Sequence, residues 1–249
     1  MSNLISIIIP FYKKKLFFFK TVKSILNQSY KNFEVILIYD DTSKTDLKFV
    51  KKVLQNIKKK KIIINKKNLG VGRSRNLGIK IAKGNFIAFL DADDIWHKDK
   101  LKEQLIFMKN NKTDFSYTDY LIIDENEKNI KKIKAPKMIK YNDLLYSCDI
   151  GLSTVMAKTK LFKLDKFPSL KTKEDYVLWL KLSKKNVKML GINQTLTQWR
   201  KTDDSLSNSI IQKLKDAFIL YNKHLKFNML NSLILTFILS LNFIKKRYL

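Results

Sequence analysis

Residues able to do chemistry gather in four places along the chain. In Phe89-Leu90-Asp91-Ala92-Asp93-Asp94 two carboxylates, Asp91 and Asp93, stand two positions apart. At an extended strand end such residues leave the same side of the backbone and can share one divalent ion or one nucleotide ligand. Carboxylate oxygens with no His or Cys nearby are hard donors suited to magnesium or manganese. Those ions complete their coordination with water and substrate phosphates, so a nucleoside diphosphate is implied. The other three places are Pro10-Phe11-Tyr12, Asp40-Asp41-Thr42-Ser43 and Asn68-Leu69-Gly70-Val71-Gly72, which Arg73, Ser74 and Arg75 follow. Asp, Gly and Ser behind strands also form turns and helix N-caps. Any one place is explained that way; four together, two of them paired carboxylates after strongly apolar runs, are not.

Such groups need strand ends to hold them. Ser6-Ile7-Ile8-Ile9, Phe33 to Tyr39, Ile62 to Ile64 and Phe86 to Leu90 read as buried parallel strands. Between them lies helical spacing: Val22, Ile25 and Leu26; Leu47, Val50, Val53, Leu54 and Ile57; then Leu77, Ile79, Ile81 and Ala82, with Gly84 expected as a C-cap. The alternation predicts an α/β fold with a doubly wound, mainly parallel sheet. Ligands of such sheets bind beyond the carboxyl ends of the strands. Pro10-Phe11-Tyr12, Asp40-Asp41, Gly70 and Asp91 to Asp94 all fall there.

Composition narrows the classes. A chain of 249 residues, 45% hydrophobic and 29% charged, suits one domain with a short appendage and excludes disorder, collagen and coiled coil. A single cysteine, Cys148, excludes a disulfide framework and cysteine-built metal clusters; its thiol is expected to be buried and inert in a reducing cytosol. Leu4 to Pro10 is too short for a secretory signal, which predicts function on the cytosolic side. The net charge of +28 is nearly all Lys, with Arg only at 73, 75, 200 and 247. Base readers lean on Arg forks, so no nucleic-acid partner is expected, and an anionic membrane surface matches spread lysines better. Gly70 and Gly72 lack the third glycine of a dinucleotide fingerprint and follow a third strand, which does not support a Rossmann dehydrogenase. What remains is a turn into a helix whose N-terminus, with Arg73 or Arg75, suits a phosphate.

From Leu4 to about Ser207 the sequence resembles a family 2 glycosyltransferase with the GT-A nucleotide-sugar-binding fold. The resemblance rests on Ser6 to Tyr12, Phe33 to Asp46, Asn68 to Gly78 and Gly84 to Trp96 with its DxD-type centre. It continues through Glu174 to Leu180 and Trp199-Arg200-Lys201 before Ser205-Leu206-Ser207. It implies a nucleotide-sugar site made by Pro10, Phe11, Tyr12, Asp41, Gly70, Arg75 and Asp91. Pro10 and Tyr12 would border the base, Asp41 would accept a hydrogen bond from it, Arg75 would lie near the nucleotide, and Asp91 would touch the ribose or sugar side. Asp93 would bind a divalent metal, Mn or Mg, and Asp175 would be the catalytic base with Glu174 its neighbour. Thr42 stands where the family commonly has Gly, and Lys44 where it often has Thr or Ser, which alters the turn after Asp41. One base and one displacement imply inversion. Gln198-Trp199-Arg200 departs from the motif of processive members, which implies addition of single sugars. The implied partners are a nucleotide-diphosphate-sugar donor, a UDP-sugar favoured, and a glycan or lipid-linked acceptor in surface polysaccharide or lipopolysaccharide synthesis.

Two other classes compete. A nucleotidyltransferase would use a similar metal site but carries a basic Gly-rich signature near its first strand, unlike Pro10-Phe11-Tyr12. A non-catalytic nucleotide-binding membrane scaffold would not need Asp175. Trp179 and Trp199 are expected to pack more than to stack on sugar, and Asp119 and Asp124 either line an acceptor groove or end a strand. From Asp203 the pattern turns helical, and Met229 to Ile244 is nearly all apolar before Lys245-Lys246-Arg247. Sixteen residues make roughly 24 Å of helix, short of the roughly 30 Å of a bilayer core. Ser232, Thr236 and Ser240 form a small-polar seam that either packs on another helix or lies at a membrane interface; a helix covering the domain is the competing reading. The expected organisation is a GT-A domain over 1–207 and a helical, membrane-associating segment over 208–249, working at the cytoplasmic face of the membrane.

Overall fold

The computed structural model describes residues 3–202 and 209–248. β1 (Ile5–Phe11), β2 (Phe33–Tyr39) and β4 (Phe86–Phe89) are buried on both faces because helices cover both. The period of two is visible in β1: Ile7 and Ile9 join one core cluster with Val22, Val35 and Leu105, while Ile8 points into the other with Phe89, Phe115 and Trp179. β2 and β4 flank β1 in parallel, and β3 (Lys60–Ile64) continues the parallel run beyond β2. β3 is the exception to the expected burial. As an edge strand with one neighbour it stays half-exposed, with Ile64 open to solvent.

α1 (Lys15–Leu26), α2 (Lys44–Val53) and α3 (Val71–Ile81) fill the gaps that the helical spacing marks. Ser43 starts α2 by accepting the Asp46 N–H at 3.1 Å. α3 ends at Ala82 in an extended conformation, so Gly84 is not its C-cap. Glycine is needed at 84 for another reason: a Cβ there would stand 2.7 Å from Leu4 O and Ser6 N, where the chain presses against the start of β1.

The second half adds β5 (Ile95–Trp96), α4 (Lys100–Asn110), β6 (Phe115–Ile123), β7 (Asn129–Ile133), β8 (Met138–Ile139), α5 (Tyr141–Tyr146), β9 (Met156–Lys158), α6 (Glu174–Lys184), β10 (Met189–Arg200), α7 (Ile210–Ile219) and α8 (Met229–Tyr248). Strand order is β3-β2-β1-β4-β9-β6-β10-β5, with β7 on β6 and β8 on β10. β9 lies antiparallel to both β4 and β6 and joins the parallel first half to the parallel β6–β10 pair, so the sheet is mixed beyond β4.

Trp179 sits fully buried among Phe89, Phe115 and Phe167, its ring 4.9 Å from that of Phe115. Ala217, Leu220, Tyr221, Leu235 and Leu239 join the same cluster, which ties the C-terminal helices to the domain. The 207/208 boundary and Ser205-Leu206-Ser207 lie outside the described residues. α8 has 20 residues, longer than its apolar stretch, yet no helix among the described residues is long and apolar enough to cross a membrane.

Candidate active site

Two strand ends form the floor. After β2, Asp40 is buried, and its Oδ1 accepts from Asn65 Nδ2 (2.6 Å) and Leu69 N (2.8 Å) and its Oδ2 from Gly70 N (2.9 Å). The turn into α3 is therefore pinned to β2, and Gly70 takes a positive φ of 85°, open to it without a side-chain penalty. Asp41 accepts from Lys13 N (3.0 Å), Thr42 N (2.7 Å) and Ser43 N (3.2 Å), which fixes the turn carrying Thr42. A carboxylate has about four acceptor directions, so Asp41 keeps capacity for one more donor.

After β4 the partners are cations. Asp93 Oδ2 meets Lys14 Nζ at 2.9 Å, and Asp91 Oδ1 accepts from Arg75 NH2 at 2.7 Å. Asp94 is wholly buried; its Oδ1 accepts from Arg200 N at 2.9 Å while its Oδ2 has no hydrogen-bond partner among the described residues. Burial pushes the Asp93 carboxyl up against the pull of Lys14. Burial, with the charges of Asp93 and Asp91, pushes Asp94 well above the usual carboxylate range.

Arg75 joins this strand end to α6. Its guanidinium is 3% exposed and reaches Asp91 through one terminal nitrogen and Glu174 through the other. Burial alone would disfavour its charge, but the two carboxylates hold it charged above the ordinary arginine value. Glu174 and Asp175 open α6. Burial pushes the Glu174 carboxyl up to about 7 against the pull of Arg75. Burial likewise raises Asp175, which lies near enough to Arg75 and Asp91 for their charges to act on it. Among the described residues, Asp175 is anchored by one hydrogen bond, from Tyr176 N to Oδ1 at 2.7 Å.

The model of the family described as Glycosyl transferase family 2 matches residues 6–169. The chain belongs to glycosyltransferase family 2. It is 39% identical over 215 residues to the UDP-Glc:alpha-D-GlcNAc-diphosphoundecaprenol beta-1,3-glucosyltransferase WfaP of Escherichia coli, covering 85% of this chain and 83% of WfaP. Among solved structures, S. aureus TarS 1-349 in complex with UDP-GlcNAc matches 92% of this chain and 69% of its own, with TM-score 0.73 and 21% identity. The mannosyltransferase PcManGT from Pyrobaculum calidifontis, in complex with GDP-Man and Mn2+, matches 95% and 72%, with TM-score 0.70 and 13% identity. Both structures share the GT-A type fold with this chain.

In this family 2 enzyme, Pro10 and Tyr12 lie where β1 ends, Tyr12 well exposed. The expectation for Phe11 is corrected: its ring is fully buried, stacked on Tyr39 at 5.3 Å and edge-on to Phe18 at 5.1 Å, so it supports the strand end from behind. Arg75 lies beside Asp91 with its terminal nitrogens committed to carboxylates, while Arg73 is exposed. Asp119 and Asp124 hold backbone, Asp119 accepting from Ala135 N and Asp124 from Asn126 N and Lys128 N. Sequence reasoning missed three contributors. Lys14 holds Asp93. The Ser153 hydroxyl accepts from Asp91 N at 3.0 Å. Arg200 ties Asp93 O and Asp94 to Asp124 O and Glu127. Arg200 did carry a signal: in so lysine-rich a chain an arginine marks a place where a planar fork is required.

Among the described residues no three His, Cys, Asp or Glu side chains converge as a ready metal cage. The donor set at β4 still fits a magnesium- or manganese-type ion, which takes one or two carboxylates and leaves the remaining positions to water and phosphate.

Proposed function

We propose that this chain is an inverting, non-processive glycosyltransferase that moves a sugar from a UDP-sugar to a hydroxyl of a lipid-linked glycan at the cytoplasmic face of a membrane. The carrying observation is the Arg75 bridge, which sets the start of α6, and with it Asp175, against the acidic end of β4. Asp175 takes the proton from the acceptor hydroxyl as that oxygen attacks the anomeric carbon, and the bond to the diphosphate breaks with its electron pair leaving on phosphate. A carboxyl raised by burial is a better base than a free one at neutral pH. Asp93 with Asp91 would hold Mn2+ or Mg2+, whose chemistry is to neutralise charge on a departing diphosphate. Pro10, Tyr12, Asp41 and Gly70 receive the nucleotide. WfaP, named for a UDP-Glc donor and a diphosphoundecaprenol-linked acceptor, supports this donor and acceptor class, and the Mn2+ and GDP-Man of PcManGT support a metal-dependent donor.

The test is nucleotide release from a panel of nucleotide-sugars with Mn2+ or Mg2+, with and without a diphospholipid-linked GlcNAc acceptor. Acceptor- and metal-dependent UDP release is expected, and no release from any donor would overturn the reading. Asp93→Ala should abolish metal-dependent donor binding, followed by calorimetry, with the thermal transition retained.

A further inference from the structure

The outer surface of α8 is built the wrong way round for a helix facing water. Its polar seam turns inward: Ser232 and Thr236 are buried, and the hydroxyls of Ser232, Thr236 and Ser240 donate to the carbonyls of Asn228, Ser232 and Thr236 at 2.7–2.8 Å. Those bonds satisfy the hydroxyls within the helix and let it lie close against the domain, where Leu235 and Leu239 enter the core. The apolar side chains go outward instead. Leu230, Leu233, Ile234, Phe237, Leu241 and Ile244 recur at three- and four-residue spacing and are each 47–67% exposed. α7 extends the surface with Ile210, Ile211 and Leu214, and Lys213 Nζ lies 4.7 Å from the centre of the Phe243 ring.

The charged side chains of this segment are nearly all basic. Between residues 209 and 249 the only carboxylate is Asp216, against Lys213, Lys215, Lys223, Lys226, Lys245, Lys246 and Arg247. Asp216 is buried and spent on Thr172 N and Oγ1, both at 2.8 Å. The described part of this segment therefore carries an excess of positive charge, and a second copy of so basic a surface would be repelled.

We propose that the outward face of α7 and α8 docks into an anionic lipid bilayer, its apolar stripe entering the headgroup boundary and its lysines meeting lipid phosphates, with neither helix crossing. The docking is rigid with respect to the chemistry, because Thr172, held by Asp216 of α7, stands two residues before Glu174. The surface is independent of the sugar-transfer reading, and vesicle binding is measured with no nucleotide-sugar present.

The experiment compares the full chain with Leu230→Ser/Leu233→Ser/Phe237→Ser/Leu241→Ser in sedimentation with vesicles of phosphatidylglycerol and phosphatidylcholine, or of phosphatidylcholine alone. The four side chains are exposed, so the variant keeps the core; an unchanged thermal transition checks this. Expected are pelleting with the anionic vesicles, a loss of at least tenfold in partitioning for the variant, and weakening as salt rises from about 0.05 to about 0.5 M. Lys215→Gln/Lys245→Gln, a milder change that leaves the apolar stripe, should lower binding severalfold at low salt. Equal pelleting of parent and quadruple variant, equal binding to both vesicle types, or concentration-dependent self-association abolished by the four serines in place of vesicle binding would each overturn the proposal.

Discussion

The two acidic strand ends, Asp40-Asp41 after β2 and Asp91 to Asp94 after β4, look alike as sequence and differ in what holds them. The carboxylates of Asp40 and Asp41 are met by neutral N–H donors, nearly all from backbone, and those bonds shape the turns before α2 and α3. Those of Asp91 and Asp93 are met by side-chain cations, Arg75 and Lys14, and their neighbour Asp94 is buried with one oxygen unpaired among the described residues. A carboxylate satisfied by backbone builds the fold. Carboxylates crowded together and neutralised by mobile or bridging cations are primed for a charged ligand, because repulsion among them is relieved when positive charge arrives.

The largest effect that would test the contrast lies at the base. Asp175→Asn should lower sugar transfer by roughly 100-fold or more while UDP binding is kept, since general-base contributions are of that size. Steady-state transfer assays beside calorimetric UDP titration measure both. If Asp175→Asn transfers at the parental rate and Glu174→Gln does not, the base moves by one residue.

Next in size is the bridge. Arg75→Met removes the cation shared by Asp91 and Glu174 and leaves the buried Glu174 carboxyl without its partner, a change expected to cost about 3–5 kcal/mol and to lower the thermal midpoint by on the order of 10 °C. Arg75→Lys should recover only part of this, because one ammonium cannot span both carboxylates as a planar fork does.

The strand ends can also be set directly against each other. Asp40→Asn replaces one charged acceptor oxygen by an amino group facing N–H donors, and should destabilise by about 1–3 kcal/mol. Asp94→Asn exchanges a carboxyl that burial favours as neutral for a neutral amide that still accepts from Arg200 N, and should stay within about 1 kcal/mol of the parent. Urea midpoints of the pair measure the difference. Equal losses would erase the distinction between a scaffold acid and a site acid.

Much of this is legible in the sequence. The four strands of the first half, the helices between them and the strand-end acids follow from apolar runs and helical spacing, which are local signals. Lys14, Ser153 and Arg200 were not legible as partners, because each meets its acid across a separation that no periodicity encodes, 79 residues for Lys14 and Asp93 and 106 for Arg200 and Asp94. The antiparallel β9 was hidden by its length of three residues. Phe11 misled for a related reason. A residue beside two site residues in sequence points to the opposite face of the strand, and its ring fills the core under α1. The seam of α8 was visible, but the direction it faces depends on what the helix packs against.

The smallest effect is a pH dependence, and its sign follows from Glu174. An unperturbed glutamate carboxyl titrates near 4.5, and burial lifts this one to about 7. Between those values the folded chain holds a proton that the unfolded chain has released, so this group makes stability fall as pH rises from about 4.5 to about 7, with no further change above. Glu174→Gln removes the titration while keeping a side-chain oxygen able to accept from Arg75. Urea midpoints taken across that window should therefore decline less steeply for Glu174→Gln than for the parent, while the lowered carboxyls of Asp114, Asp165 and Glu127, which act with the opposite sign at lower pH, contribute equally to both. Parallel profiles would mean that the Arg75 charge outweighs burial at Glu174. The bridge would then be a fully ionised pair like the contact between Lys158 and Asp114 on the surface, and the contrast between the two strand ends would rest on Asp93 and Asp94 alone.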